Sequence, residues 1–138
     1  MIAFDTDIFS LILAGDPKSL ARLAAVSGRH FLPIVVAEEI LRGRLDAIRK
    51  AQGNASKVPL DVAYYWLDKT LRDFGRLSFL SYSPDADLRF QSWREQKVRV
   101  GASDLRIAAI CVAHNVRLIT RNQSDFSKIP GLDVEFWM

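Results

Sequence analysis

Short apolar runs divide this chain at intervals, and the segments between them carry apolar residues at helical spacing. The runs predict strands over residues 1–4, 30–32, 77–82, 116–120 and 134–136. The intervening segments predict helices over residues 9–13, 18–26, 35–51, 58–74, 84–97 and 103–114. Strands that alternate with helices predict an α/β fold with helices on both faces of a mostly parallel sheet.

The composition favours one globular domain over residues 1–138. Hydrophobic residues make up 49% of the chain, which excludes an intrinsically disordered protein. No apolar run approaches the roughly 20 residues that a membrane-spanning helix needs, and the N-terminus does not resemble a signal peptide. Cys111 is the only cysteine, so an internal disulfide is excluded and a reducing cytoplasm is the expected location.

The net charge of +3 comes from 19 basic and 16 acidic residues. This mild excess is compatible with a polyanionic partner but does not by itself predict one.

Four carboxylates lie beside apolar segments that are far apart in the sequence: Asp5, Glu39, Asp104 and Asp125. Asp5 and Asp125 follow predicted strands, and ligands of open parallel sheets bind beyond the carboxyl ends of the strands. Taken singly, each of these two is explained at least as well as a turn or helix-capping residue.

Asp104 lies in the predicted first turn of a helix that is apolar almost all round, so this helix should be central. The free N–H groups of that turn stabilise a carboxylate, and Ser103 is expected to cap the same turn. Glu39 lies almost opposite the apolar face of its helix, which predicts a solvated side chain. Gly43, one turn further along, would leave room for a substrate.

Carboxylates repel one another unless a cation lies between them. If folding brings the four together, the expected occupant is a hard divalent cation with oxygen ligands. The pattern therefore favours a metal-dependent enzyme.

At these residues the chain resembles the PIN-domain ribonucleases, and among them the VapC-type toxins. Residues 2–7 resemble the family's first strand and its Asp-Thr-Asn, with Asp7 in place of the usual Asn. Residues 36–43 resemble the second acidic motif, where the step to Gly43 selects Glu39 over Glu38. Residues 101–109, 120–126 and 131–137 resemble the third motif, the fourth motif and the closing strand.

The resemblance implies a three-layer α/β/α PIN-like domain and an endoribonuclease that depends on Mg²⁺ or Mn²⁺. Asp5, Glu39 and Asp104 would hold the metal, and a metal-activated water would attack the phosphodiester. Asp125 would act directly or through water. Because position 122 is Asn, whether Asn122 or Asp125 completes the acidic site stays open, as does the number of ions.

Supporting roles are also implied. Thr6 or Asp7 would orient the attacking water. Ser103 and Asn122 are two further residues with an expected supporting role. Four basic residues would form a rim that holds the RNA backbone: Lys97, Arg99, Arg106 and Arg121. VapC-type toxins are expected to form homodimers and to be blocked by a small antitoxin.

Two alternatives remain. The sequence Asp5-Thr6-Asp7 also fits the Asp-x-Asp signature of haloacid-dehalogenase-like phosphohydrolases, with Asp5 as nucleophile and Lys128 as a candidate partner. However, no adjacent acidic pair follows a late strand, and the chain is short for that fold. The second alternative is a catalytically silent PIN-fold binding module, although all four acidic positions are filled.

Overall fold

The computed structural model describes residues 1–26 and 28–137. In this part of the chain the strands are β1 (Ile2–Phe4), β2 (His30–Pro33), β3 (Phe79–Leu80), β4 (Arg117–Thr120) and β5 (Val134–Phe136). The helices are α1 (Thr6–Leu13), α2 (Pro17–Ala25), α3 (Ile34–Gln52), α4 (Leu60–Phe74), α5 (Pro84–Glu95), α6 (Ala102–Ala113) and α7 (Gln123–Phe126).

The described strands form one sheet in the order β3-β2-β1-β4-β5, and every pair is parallel. In the register between the two central strands, Phe4 lies opposite Ile119. The α/β prediction with a mostly parallel sheet is therefore confirmed. Right-handed crossovers place α1 to α4 on one face of the sheet and α5 and α6 on the other.

The central strands are buried because helices cover both faces of the sheet. All three residues of β1 are buried, as are the last three residues of β4. Helix α6 supplies much of the remaining core, and its residues 107–111 are all buried. Cys111 belongs to this core, and burial raises the pKa of its thiol, so it is a packing residue rather than a nucleophile.

The strand order fixes where a ligand can bind. From β1 the chain moves to one side, to β2, whereas β4 lies on the other side of β1. Such a switch point opens a crevice beyond the carboxyl ends of the two strands. Helices in crossovers run antiparallel to the strands, so α3 and α6 both begin at this edge of the sheet.

Apart from shifts of a few residues at the ends of helices, two elements differ from the sequence prediction. Strand β3 has only the two residues Phe79 and Leu80, where a run over 77–82 was expected, because only this part pairs with β2. The short helix α7 was expected to be a turn. No helix in residues 1–26 and 28–137 combines the length and the apolar character needed to cross a membrane.

Candidate active site

Asp5 follows β1 directly and is the N-cap of α1. This residue is only 4% exposed. One carboxylate oxygen, Oδ1, accepts a hydrogen bond of 3.0 Å from the backbone N–H of Ile8. Burial raises the pKa of Asp5, and the hydrogen bonds from Thr120 and Ile8 partly offset that rise. Asp5 is therefore both a helix cap and a buried carboxylate at the switch point.

Thr120, the last residue of β4, supplies the second hydrogen bond to Asp5. Its hydroxyl donates to Oδ2 of Asp5 and accepts from the backbone N–H of Asn122 at 3.0 Å. Thr120 is fully buried. No separate role for Thr120 was predicted from the sequence. The available signal was its place at the end of a β-branched strand, immediately before a polar turn.

Glu39 is half-buried, although the helical wheel predicted a solvated side chain. Its Oε1 accepts a hydrogen bond of 2.6 Å from the hydroxyl of Thr6 in α1, against which α3 packs. Neighbouring Glu38 is exposed and forms an ion pair with Arg42. A helical wheel could not predict the burial of Glu39, because it contains no information on the helices that pack against α3. The two glutamates differ in their surroundings, since Glu39 faces α1 whereas Glu38 faces solvent.

Asp104 lies in the first turn of α6 and is partly buried. Its pKa is raised to about 6, chiefly by burial and then by the negative charges of Glu39, Asp5, Asp125 and Asp7. These four carboxylates come from three other parts of the chain, yet each one acts on Asp104. The structure thus brings the four predicted acidic residues, together with Asp7, into one electrostatic neighbourhood.

The predicted cap of α6 is not found. The helix begins at Ala102 with Gly101 as its N-cap, and no side chain caps it by a hydrogen bond. Ser103 lies inside the first turn, because the helix begins one residue earlier than expected. The space beside Gly43 is open, since a Cβ atom built there would meet nothing within 4 Å. The substrate space predicted there stays a prediction.

Asn122 and Asp125 are bonded to each other after β4. Asn122 is the N-cap of α7: its Oδ1 accepts from the backbone N–H of Asp125, and its Nδ2 donates to Oδ2 of Asp125 at 3.0 Å. Lys128 lies 3.9 Å from the other carboxylate oxygen of Asp125. Asn122 therefore orients Asp125, and it is the Asp125 charge that reaches Asp104.

Three of the four carboxylates accept hydrogen bonds from hydroxyl or N–H donors: Asp5, Glu39 and Asp125. Within residues 1–26 and 28–137, no group of three or more His, Cys, Asp or Glu side chains is arranged to hold a metal ion. Asp5 faces Thr120 and Ile8, and Glu39 faces Thr6. The metal site predicted from the sequence therefore stays a prediction.

The four residues of the predicted basic rim have different surroundings. Arg121 follows Thr120 and lies near enough to Asp5 for its charge to lower the pKa of that carboxyl. Arg106 stacks over the ring of Phe90 in α5, with its guanidinium carbon 4.6 Å from the ring centroid. Lys97 and Arg99 are exposed in the connection between α5 and α6.

The model of the PIN domain family matches residues 2–132. The chain is 25% identical to a chain of the VapBC2 complex from Rickettsia felis bound to a promoter DNA fragment, with a TM-score of 0.76 and full coverage of both chains. A DNA-bound VapBC complex from Salmonella typhimurium gives 20% identity and a TM-score of 0.78, with 99% and 98% of the two chains covered.

VapBC-1 from nontypeable Haemophilus influenzae gives 21% identity and a TM-score of 0.70, again with 99% and 98% coverage. A comparison with curated proteins found no match. The resemblance stated from the motifs is confirmed. Because the family model spans nearly all of the sequence, the chain belongs to the PIN domain family.

Proposed function

We propose that this protein is a metal-dependent endoribonuclease and a VapC-like toxin. One observation carries the proposal. Four other carboxylates raise the pKa of Asp104: Asp5, Asp7, Glu39 and Asp125. They do so at the switch point, where an open parallel sheet binds its ligands. A protein gains no stability from assembling like charges, so such a cluster favours a functional site.

The donor set fits Mg²⁺ or Mn²⁺, which prefer carboxylate oxygens. Asp5, Glu39 and Asp104 would hold the ion, and Asp125 would act directly or through water. Each oxygen of Asp5 accepts one hydrogen bond and keeps a free lone pair. When bound, the ion would supply charge stabilisation at the phosphate and a more acidic water.

The other side chains would position the reactants. The Thr6 hydroxyl donates to Glu39 and so limits the rotation of that carboxylate. Asp7 is exposed in the first turn of α1 and reaches the site electrostatically, which suits a residue that orients water. Asn122 would hold Asp125, and Ser103 would line the first turn of α6 as a further polar contact.

The toxin assignment is supported by the kind of proteins that the chain resembles. The similar structures are VapBC complexes, and another is a toxin–antitoxin complex from Klebsiella pneumoniae with 23% identity and a TM-score of 0.71. In each of these comparisons, the alignment covers 95% or more of the chain that this protein matches. We propose that this protein also forms a homodimer, binds a small antitoxin, cleaves RNA and is located in the cytoplasm.

The direct test is RNA cleavage with Mg²⁺ or Mn²⁺, compared with cleavage in a chelator. Asp5→Asn and Asp104→Asn are each expected to abolish metal-dependent cleavage and to leave the fold intact by circular dichroism. Asp61→Asn is the matched control, because Asp61 also lies in the first turn of a helix but is exposed on α4. Full activity of either site variant would contradict the proposal.

The alternatives predict different results. A silent binding module would bind RNA but cleave none with either metal. A phosphohydrolase that uses Asp5 as nucleophile would hydrolyse a generic aryl phosphate. The surroundings of Asp5 disfavour that chemistry, since both of its oxygens accept hydrogen bonds and Lys128 lies beside Asp125.

A further inference from the structure

A second, basic pocket adjoins the acidic site. It is a cavity of about 170 Å³ between α1, α2 and the end of β4. Three cations line it: Lys18 and Arg22 from α2, and Arg121. Pockets for whole small molecules usually measure roughly 300–1,000 Å³. This cavity is smaller, which suits one group that projects from a larger ligand.

The pocket and the acidic site share structural elements. Ile8 lines the pocket, and its backbone N–H donates to Asp5. Arg121 lines the pocket directly after Thr120, the residue whose hydroxyl donates to Asp5. A ligand bound at Asp5 therefore needs to extend only past Ile8 and Arg121 to enter the pocket.

The pocket carries net positive charge. No ion pair within 4.0 Å formed by the described residues involves Lys18, Arg22 or Arg121, whereas Arg42, Arg49, Lys50, Lys69 and Arg72 are paired along their helices. The one carboxylate in the pocket, Asp16, already accepts hydrogen bonds from the N–H and the hydroxyl of Ser19. Three positive charges thus face one negative charge that is internally bonded.

Aromatic packing helps to place one of these cations. The guanidinium carbon of Arg22 lies 5.7 Å from the ring centroid of Trp137, which is buried. Trp137 is fixed in turn, because its backbone N–H donates to the carbonyl of Thr120 at 2.8 Å. Arg22 therefore stacks on a ring that is tied to the same strand end as the acidic site.

We infer that Lys18, Arg22 and Arg121 form a subsite for a backbone phosphate of the RNA strand, next to the phosphate that is cleaved. The inference rests on the proposed nuclease function and adds the path of the substrate. The strand would pass from the acidic site towards the turn between α1 and α2. Lys18 and Arg22 thereby join Arg121 as RNA-binding residues.

The test measures RNA binding without cleavage, in protein that carries Asp104→Asn. The probe is a fluorescent single-stranded RNA of mixed sequence, about 12 nucleotides long. Its affinity is measured between about 50 and about 200 mM salt. Adding Lys18→Gln and Arg22→Gln is expected to reduce the slope of log affinity against log salt by about 0.7, which corresponds to one lost phosphate contact. At 0.1 M salt, this slope change corresponds to binding that is weaker by on the order of fivefold.

The matched control is Arg76→Gln with Arg89→Gln. Both arginines are exposed, and neither pairs with a carboxylate in the part of the chain that the structure describes. They lie away from the candidate active site, Arg76 before β3 and Arg89 against the C-terminal end of α6. This control should keep the parent slope. Arg121→Gln, tested separately, should lower the slope like the pocket variant, so a fold defect in one variant does not decide the result.

A neutral methylphosphonate, moved one linkage at a time along the probe, locates the contact. At one position it should weaken binding to the parent protein but have no further effect on the Lys18→Gln, Arg22→Gln variant. An unchanged slope in the pocket variants, with RNA cleaved by the wild type, would overturn the subsite alone. The expected slope change without any RNA cleavage by the wild type would uphold the subsite and reject the nuclease.

Discussion

The hydroxyl of Thr120 donates a hydrogen bond to the carboxylate of Asp5, across the gap between the two central strands. The two residues are 115 positions apart in the sequence. The same hydroxyl accepts from the backbone N–H of Asn122, so one side chain joins β1, β4 and the turn that precedes α7. This contact holds the buried carboxylate of the candidate active site in place.

Thr120→Val should therefore destabilise the protein. It removes a donor to a buried carboxylate and leaves the Asn122 N–H unpaired, a loss of about 1–3 kcal/mol. The pKa of Asp5 should rise further, because the Thr120 hydrogen bond lowers it. Urea unfolding at neutral pH measures the change in stability. Thr120→Ser keeps the hydroxyl and should therefore retain most of the stability that Thr120→Val loses. Wild-type stability of the valine variant would refute the role of this hydrogen bond.

Asp104 should make the metal-free protein less stable as the pH rises. Its pKa is about 6 in the folded protein, above the ordinary 3.8, so the folded state retains the proton to higher pH. The stability that the protonated Asp104 carboxyl contributes is therefore fully present below about pH 4 and is lost as the pH rises through 6. At pH 7, Asp104→Asn should be more stable than the wild type by about 1–2 kcal/mol, because solvent screens part of the effect on this half-buried group.

Urea unfolding of both proteins between about pH 4 and about pH 7 tests this dependence, and Asp61→Asn serves as the exposed control. The difference between wild type and Asp104→Asn should vanish near pH 4. A difference that stays constant across this range would show that the charge of Asp104 is not the cause.

Manganese should reverse that order of stability. A ligand present at 100 times its Kd stabilises a folded protein by about 2.7 kcal/mol, provided that it does not bind the unfolded chain. The wild type and Asp61→Asn should melt at a higher temperature when Mn²⁺ is added, and Asp104→Asn should not. An equal increase in the melting temperature of all three proteins would place the ion elsewhere.

Glu39 and Glu38 provide a matched pair of adjacent carboxylates. Glu39→Gln should lower the pKa of Asp104, because Glu39 is the nearby charge with the largest effect on it. RNA cleavage should fall roughly tenfold or more, as expected for loss of a group that holds the metal. Glu38→Gln removes only an exposed ion pair with Arg42, so both quantities should stay at the wild-type values. NMR titration of Asp104 and a cleavage assay measure the two effects.

The order of strands and helices could be predicted because each element carries its own signal. The β-branched run before Thr120 and the apolar helix around Cys111 are both buried as expected. The boundaries were less certain, because capping depends on single residues. Asp5 begins α1 at Thr6, three residues before the predicted start, because its carboxylate binds the N–H of Ile8.

The surroundings of the site residues could not be predicted in the same way. The helical wheel placed Glu39 in solvent, since the wheel contains no information about Thr6 on another helix. The bonding of Asn122 to Asp125 is local, but a polar stretch of four residues gives no clear helical period. Electrostatic coupling between Asp104 and the other carboxylates depends on the folded arrangement, which the motifs indicate only through resemblance.

The pairing of β1 with β4 also has a consequence during synthesis on the ribosome. The N-terminal strand emerges first, but its neighbour on one side comes from residues 117–120. Until that stretch has left the exit tunnel, Asp5 lacks its threonine contact and the crevice between the strands has only one wall. A chain truncated before residue 117 would therefore lack the second wall of the crevice in which we place the proposed nuclease activity.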